Sequence, residues 1–388
     1  RQFARQCEAH DRPDLANELR HVLLERYADD PVADQVLAQM VYRLSSREHA
    51  ALYPRRLAHN VRPASVTLPD DVASIGKVSP FIATDKPDPS DGNANVAFAP
   101  LTYVSNRDFG PTALRRRAVE LHQLLIRRRP ALASEPGLQL AVAAVHRQRG
   151  EGDKALAIYR QLAGQNIAVP ATECAKAELW LNDSRRECPK PLVHCVRSKS
   201  KPYLDGRLDD EIWKTAQAMR LKGEGQAEDE AIAIVKLAHD DEFLYVAASC
   251  RRVAGAKYPS TDAARPRDAE LRERDRIELA LDTDRDWSTH LRLTIDYRGW
   301  TADTVYGDDL EQSAGWNPTW FSAAEGDDTT WNVEAAILLR DLIARKRGRA
   351  DVWGVNVRRI IPDVNVSSWS PTGASGSSQT MGLLVVDP

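Results

Sequence analysis

Lys201-Pro202-Tyr203-Leu204-Asp205-Gly206-Arg207-Leu208-Asp209-Asp210-Glu211-Ile212-Trp213 is the stretch at which this chain changes character. Asp205-Gly206 is a turn dipeptide, and the acidic run behind it, closed by Trp213, reads as the start of a short helix. All nine tryptophans fall at or after Trp180, eight of them from Trp213 onward. Apolar residues upstream recur at helical spacing; those downstream alternate with a period of two.

Upstream, Leu15, Leu19, Val22 and Leu23 predict an amphipathic helix over 13–28, and Leu37, Met40, Val41 and Leu44 another over 32–45. Asp29-Asp30-Pro31 between them stops one helix and starts the next. Further helices are predicted over 111–128, 137–149, 152–163 and 171–182. After the turn Gly150-Glu151-Gly152-Asp153, the residues Ala155, Leu156, Tyr159 and Leu162 resemble the second half of a tetratricopeptide repeat. Residues 1–183 are therefore expected to form a TPR-like helical array. It is interrupted by a proline-rich excursion over 61–110 (Pro63, Pro69, Pro80, Pro87, Pro89, Pro100) that wraps over the helices or meets a partner. Residues 184–200 read as a linker. Within it Cys188 and Cys195 either close a small disulfide loop or stay as two thiols.

Downstream, Val235 and Leu237 lead into the turn His239-Asp240-Asp241-Glu242, and Leu244, Val246, Ala248 and Cys250 lead out of it, a hairpin pattern. Alternation recurs at Ile277-Leu279-Leu281, Leu291-Leu293-Ile295, Trp331-Val333-Ala335-Ile337, Trp353-Val355-Val357 and Leu383 to Val386. Strands with one apolar and one polar face suit an antiparallel β-sandwich over 201–388. The expected fold class is multidomain, α then β.

Few residues carry chemistry. Glu278 lies on the polar face of its strand, with Arg292 expected opposite on the next; such a pair offers the donors and acceptors that sugar hydroxyls need. Trp316 and Trp320 flank Asn317-Pro318-Thr319 and either stack on sugar faces or cap the core. Asp282, Asp284 and Asp286 alternate in one loop. They either converge on calcium, or form a solvated acidic turn, or pair with Arg285 and Arg292. The basic runs at Arg115, Arg127 and Arg345 are separated and free of aromatics, so they read as solvated faces rather than a nucleic-acid site. No serine-hydrolase, P-loop, zinc-protease or dinucleotide motif occurs.

Six landmarks appear in order after residue 200. They are Pro202–Gly206 with Asp210–Trp213, Asp240–Val246, Asp275–Asp282, Trp331–Ile337, Trp353–Arg359 with Ser368–Ser370, and Gly382–Leu384. Together they resemble the family 9 carbohydrate-binding modules. That resemblance implies a DOMON-like antiparallel sandwich, a sugar-binding face and a structural calcium. In the family two tryptophans clamp the sugar. The position matching one is Arg272, and residues 371–381, where the other belongs, contain no tryptophan. Glu278 and Arg292 match the family's polar sugar contacts, and Arg358 replaces a polar amide.

Bulk properties narrow the functional classes. With 388 residues there is room for two or three domains, and a net charge of −3 gives no chain-wide attraction to nucleic acid. No run of about 18 apolar residues exists, so no membrane span is expected. The chain opens on Arg1, as expected of a processed product or the later part of a longer one, and a periplasmic, surface or secreted location is expected. The expected role is that of a non-catalytic scaffold or assembly protein that contacts other proteins, or else a polysaccharide-binding protein.

Overall fold

The computed structural model describes residues 13–27, 30–50, 110–165, 170–223, 233–259, 264–266, 268–307, 310–313, 316–342, 351–370 and 376–388. The expected excursion over 61–110 thus lies, but for Gly110, outside the described residues, as do residues 1–12 and the basic run at Arg345.

Helices occupy the first half: α1 (Pro13–Arg26), α2 (Pro31–Ser45), α3 (Arg47–Ala50), α4 (Pro111–Arg128), α5 (Pro130–Ala133), α6 (Pro136–Gln148), α7 (Gly152–Ala163) and α8 (Pro170–Asn182). Many open on proline, whose missing N–H would have no intrahelical partner there anyway. Asp30 caps α2 by accepting from Val32 N–H at 2.8 Å. The first predicted stripe shifts by about a residue: Ala16 and Leu24 are buried and Val22 faces out. Leu37, Met40, Val41 and Leu44 of α2 pack with Leu121 and Leu125 of α4 and Val142 of α6.

The second half is β: β1 (Leu192–Arg197), a short helix α9 (Glu211–Thr215), β2 (Ala218–Leu221), β3 (Ala233–His239), β4 (Phe243–Arg251), β5 (Arg276–Asp282), β6 (Thr289–Asp296), β7 (Thr301–Gly307), β8 (Leu310–Ser313), β9 (Trp320–Gly326), β10 (Thr330–Leu338), a helical turn α10 (Leu339–Leu342), β11 (Asp351–Ile361), β12 (Asn365–Ser368) and β13 (Gly382–Val386). The strands run in the order β8-β7-β6-β5-β11-β13-β1-β3-β4-β10-β9, with β12 on β11 and β2 on β3. Two layers share one core, in which Leu279 and Val357 of the first meet Val235, Val246 and Trp331 of the second.

Two corrections concern the boundary. The 184–200 stretch is not wholly a linker, because it contains β1, whose Val193 and Cys195 enter the sandwich core. The pairing is not wholly antiparallel either. β1 runs parallel to both β13 and β3 and joins the two layers into one ladder. Parallel neighbours need long connections, and β1 has them: β3 begins at Ala233 and β13 near the chain end. Cys188 and Cys195 are both free thiols. The second is fully buried against the core, away from any loop it could close.

The helices pack on the outer face of the first layer. Trp287, Met381 and Leu383 cluster there with Leu140, Tyr159, Cys174 and Ala177. Fully burying side chains of this size contributes about 1.5–3 kcal/mol each.

Candidate functional site

Two clusters on the first layer carry the polar chemistry. The first is built by strand register. Glu278 on β5 stands beside Arg358 of β11, and its two-residue neighbour Ala280 stands beside Arg292 of β6. Period-two alternation puts Arg276, Glu278 and Ala280 on the outer face while Ile277, Leu279 and Leu281 fill the core. Arg358 donates to Glu278 Oε2 at 2.5 Å, Arg276 Nε donates to Oε1 at 3.1 Å, and Arg292 Nε lies 4.0 Å from Oε2. Burial would raise the Glu278 carboxyl, but these three guanidiniums outweigh it and hold its pKa below the ordinary range. Arg292 also lies over the Tyr306 ring, 4.1 Å from its centroid, and bonds to His290, which bonds to Ser378. Burial and the charges of Arg292 and Arg358 push the His290 pKa far down, so the ring is neutral.

This arrangement forms a shallow depression lined by Glu278, Arg292, Asn356, Arg358 and Ser377. The loop bearing Gly376 closes over Arg358: a Cβ there would lie 2.6 Å from Nη1, and φ is +75°. Of the expected sugar contacts, Glu278, Arg292 and Arg358 therefore come together. Trp316 and Trp320 do not join them. Trp316 is 2% exposed, in the core, with its indole donating to Asp341 O, and Trp320 packs against that core from the edge strand β9.

The second cluster lies at the seam between helices and sandwich. The turn after β5 is not solvated: Asp282, Asp284 and Asp286 are all buried. Nor are its carboxylates paired with Arg285 and Arg292, which bond elsewhere. Arg285 donates to Glu178 of α8 at 2.9 Å. Arg147 of α6 donates to the same carboxylate, as does the Trp287 indole. Burial would raise Glu178, and the two guanidiniums more than reverse it, so its pKa is lowered.

Glu48 of α3 enters the turn itself. Its Oε1 accepts from Thr283 N–H at 2.6 Å and Thr283 Oγ1 at 2.5 Å. Asp284 Oδ2 accepts from Arg47 N–H at 2.8 Å and Gln148 Nε2 at 2.9 Å. Asp282 accepts from the backbone N–H groups of Asp286 and Trp287. Asp286 accepts from those of Ser288 and Thr289. Burial, then mutual repulsion, drives Glu48 and Asp282 well above the carboxylate range and Asp286 up to about 7. Glu48, Asp282 and Asp284 each present an oxygen within 4.8 Å of the other two. Glu48 and Glu178 are what the sequence reading missed. For Glu178 a signal existed, a charge on the buried face of a predicted helix beside Cys174, Ala175 and Ala177.

No known protein-family model matches the chain, and no curated protein matches it. The solved structures similar to part of it include the following three. Two are of a carbohydrate-binding module of family 9 from Caldicellulosiruptor kristjanssonii. In complex with cellotriose it is 17% identical, covering 51% of this chain and 94% of that one, with a TM-score of 0.37. With glucose the values are 16%, 51%, 96% and 0.37. The third, a putative carbohydrate-binding protein from Bacteroides uniformis, is 11% identical over 51% of this chain and all of that one, with a TM-score of 0.41. Similarity of this degree carries no ligand or partner over to the present chain. Among the described residues, no helix is long and apolar enough to cross a membrane.

Proposed function

We propose that this chain is a non-catalytic assembly protein that docks other proteins through its helical half, with the sandwich as a rigid base. One observation carries this. Tyr27, Val32 and Ile126 are exposed at the end of the helical half where Arg128 and Arg129 close on Asp34. A contiguous exposed apolar patch with a polar rim marks a contact surface; we take these three side chains as such a patch, and the exposed Arg127 beside Ile126 suits an acidic rim on the partner. The TPR-like character of the helices and an extracytoplasmic location belong to the same proposal; cell fractionation tests the second.

Cross-linked affinity purification of the full chain, compared with a Tyr27→Ser/Ile126→Ser variant, tests the docking face. A stoichiometric protein partner lost in the variant supports it; equal recovery from both overturns it. One observation favours a polysaccharide ligand instead. Glu278, Arg292, Asn356, Arg358 and Ser377 set donors and acceptors side by side in one depression. Retention of the full chain on a glycan array, abolished by Arg358→Ala, would move the function there.

A further inference from the structure

We propose that Glu48, Asp282 and Asp284 bind a calcium ion that fastens the helical half to the sandwich. The three carboxylates come from two distant parts of the chain, α3 and the turn after β5, and all are buried. Each offers one oxygen within 4.8 Å of the other two. Oxygens about 2.4 Å from a shared calcium are at most about 4.8 Å apart, a condition that all three pairs meet.

A group of carboxylates alone does not make a site; here two acceptors are left unpartnered. Asp284 Oδ1 is buried with no hydrogen-bond partner. Its twin Oδ2 is already held by Arg47 N–H and Gln148 Nε2, so Oδ1 is the oxygen left for the cluster. Gln148 Oε1, on the side chain that touches Asp284, is also buried without a partner. An unmet buried acceptor costs about 1–3 kcal/mol, and more when charged. A cation held by the cluster satisfies Asp284 Oδ1.

The neighbouring positive charges act on the cluster, Arg47 on Glu48 and Arg147 on Asp284, but their guanidinium hydrogen bonds go to other groups. Arg147 and Arg285 bond to Glu178, and Arg147 reaches the turn only through backbone oxygens. Arg47 likewise donates its guanidinium to Thr283 O rather than to a carboxylate. Lys190 lies over Trp287 and bonds to Gln379 O and Met381 O. Asp286 takes a different part. Its Oδ1 accepts from Ser288 and Thr289 N–H and its Oδ2 from Thr289 Oγ1, so it shapes the turn. An all-oxygen donor set selects a hard cation. Calcium suits it better than magnesium, which demands near-octahedral geometry and keeps several waters that a buried site has little room for.

The test uses the full chain, stripped with a chelator and reloaded. Isothermal titration with calcium is expected to show one ion per chain. Terbium is expected to show luminescence sensitised by Trp287, whose backbone N–H bonds to Asp282, and calcium to displace it. Glu48→Gln and Asp284→Asn are each expected to weaken calcium at least tenfold. Calcium is expected to slow hydrogen exchange in both 46–49 and 282–289. A stripped wild-type chain that takes up no ion overturns the proposal. So does unchanged affinity in Glu48→Gln, or protection confined to the turn. Preference for magnesium overturns the choice of calcium. Should the variants fail to fold, wild-type stoichiometry decides: one ion supports the site and none overturns it.

Discussion

The Trp213 indole donates to Glu334 Oε1 at 2.6 Å, while Glu334 Oε2 accepts from the backbone N–H groups of Asp205 and Gly206. The turn at Asp205-Gly206 and the helix α9 are thus held to the outer face of β10 by one carboxylate. Gln in its place offers one acceptor and turns an NH₂ toward a donor, whichever way the amide faces. Glu334→Gln is expected to destabilise the protein by about 2–3 kcal/mol, and Glu334→Ala by at least as much. Urea denaturation followed by tryptophan fluorescence measures both. A loss below about 0.5 kcal/mol for each would show that the contact holds nothing in place.

Gly206 makes that turn possible. Its φ is +86°, and a Cβ would lie 2.5 Å from the backbone nitrogen of Glu325. Strain and clash both act against Gly206→Ala, which is expected to cost about 2 kcal/mol or more. Gly152, at the start of α7, has nothing within 4 Å of its Cβ position. Gly152→Ala is expected to be neutral or to stabilise by up to about 1 kcal/mol. Thermal melts of the pair separate a conformational requirement from mere removal of glycine.

Trp213 and Glu334 belong to landmarks that are each legible in the sequence, but their meeting is not, because it is made across 121 positions. The same holds for Asp275, which accepts from Arg359, Trp331 and Tyr258 at the end of the core. Local periodicity reports which face of an element is apolar, so the main helices and the longest strands were readable. It is nearly silent on short elements: β1 alternates over only six residues between prolines and turn residues. Whether a polar turn is solvated depends on what packs over it. Asp282, Asp284 and Asp286 are buried by α3 and α6, which lie 134 or more residues upstream.

Acid should find Glu278. Its folded pKa lies below the ordinary carboxylate value, so its stabilising contribution is complete above about pH 4.5 and is lost as pH falls through the folded value. Glu278→Gln is expected to cost about 3–5 kcal/mol at pH 7, because Arg276, Arg292 and Arg358 are left without their carboxylate. The difference between variant and wild type should shrink in acid. Guanidinium melts from pH 7 down to pH 3 measure it. A difference that stays constant would show that Glu278 is not ionised by its neighbours.

Trp316 is expected to act on stability rather than on ligand. It is fully packed in the sandwich core under α10. Trp316→Ala should therefore destabilise by about 3–5 kcal/mol. In the wild-type protein its indole should be shielded from acrylamide. Any change in glycan retention should follow the unfolded fraction alone. Lost retention by a fully folded variant would return Trp316 to the ligand-binding set.

Glu178 joins the two halves, accepting from Arg147 of α6, Arg285 of the acidic turn and the Trp287 indole. Trp287, Met381 and Leu383 bury themselves against the helices around it. With that much shared apolar surface, helices and sandwich should unfold in one transition. Far-UV dichroism, dominated by helix, and tryptophan fluorescence, dominated by the sandwich, should give the same midpoint. Glu178→Ala leaves two guanidiniums buried at the seam, one from each side, and should cost about 3–5 kcal/mol. The two probes should then separate, with the helical signal lost first, since the sandwich keeps its own core. A chain lacking residues 1–183 should expose Trp287, Met381 and Leu383 and bind a hydrophobic dye while still showing strand dichroism. Coincident midpoints in Glu178→Ala, with no fall in either, would mean that the seam is held by its apolar contacts without this carboxylate.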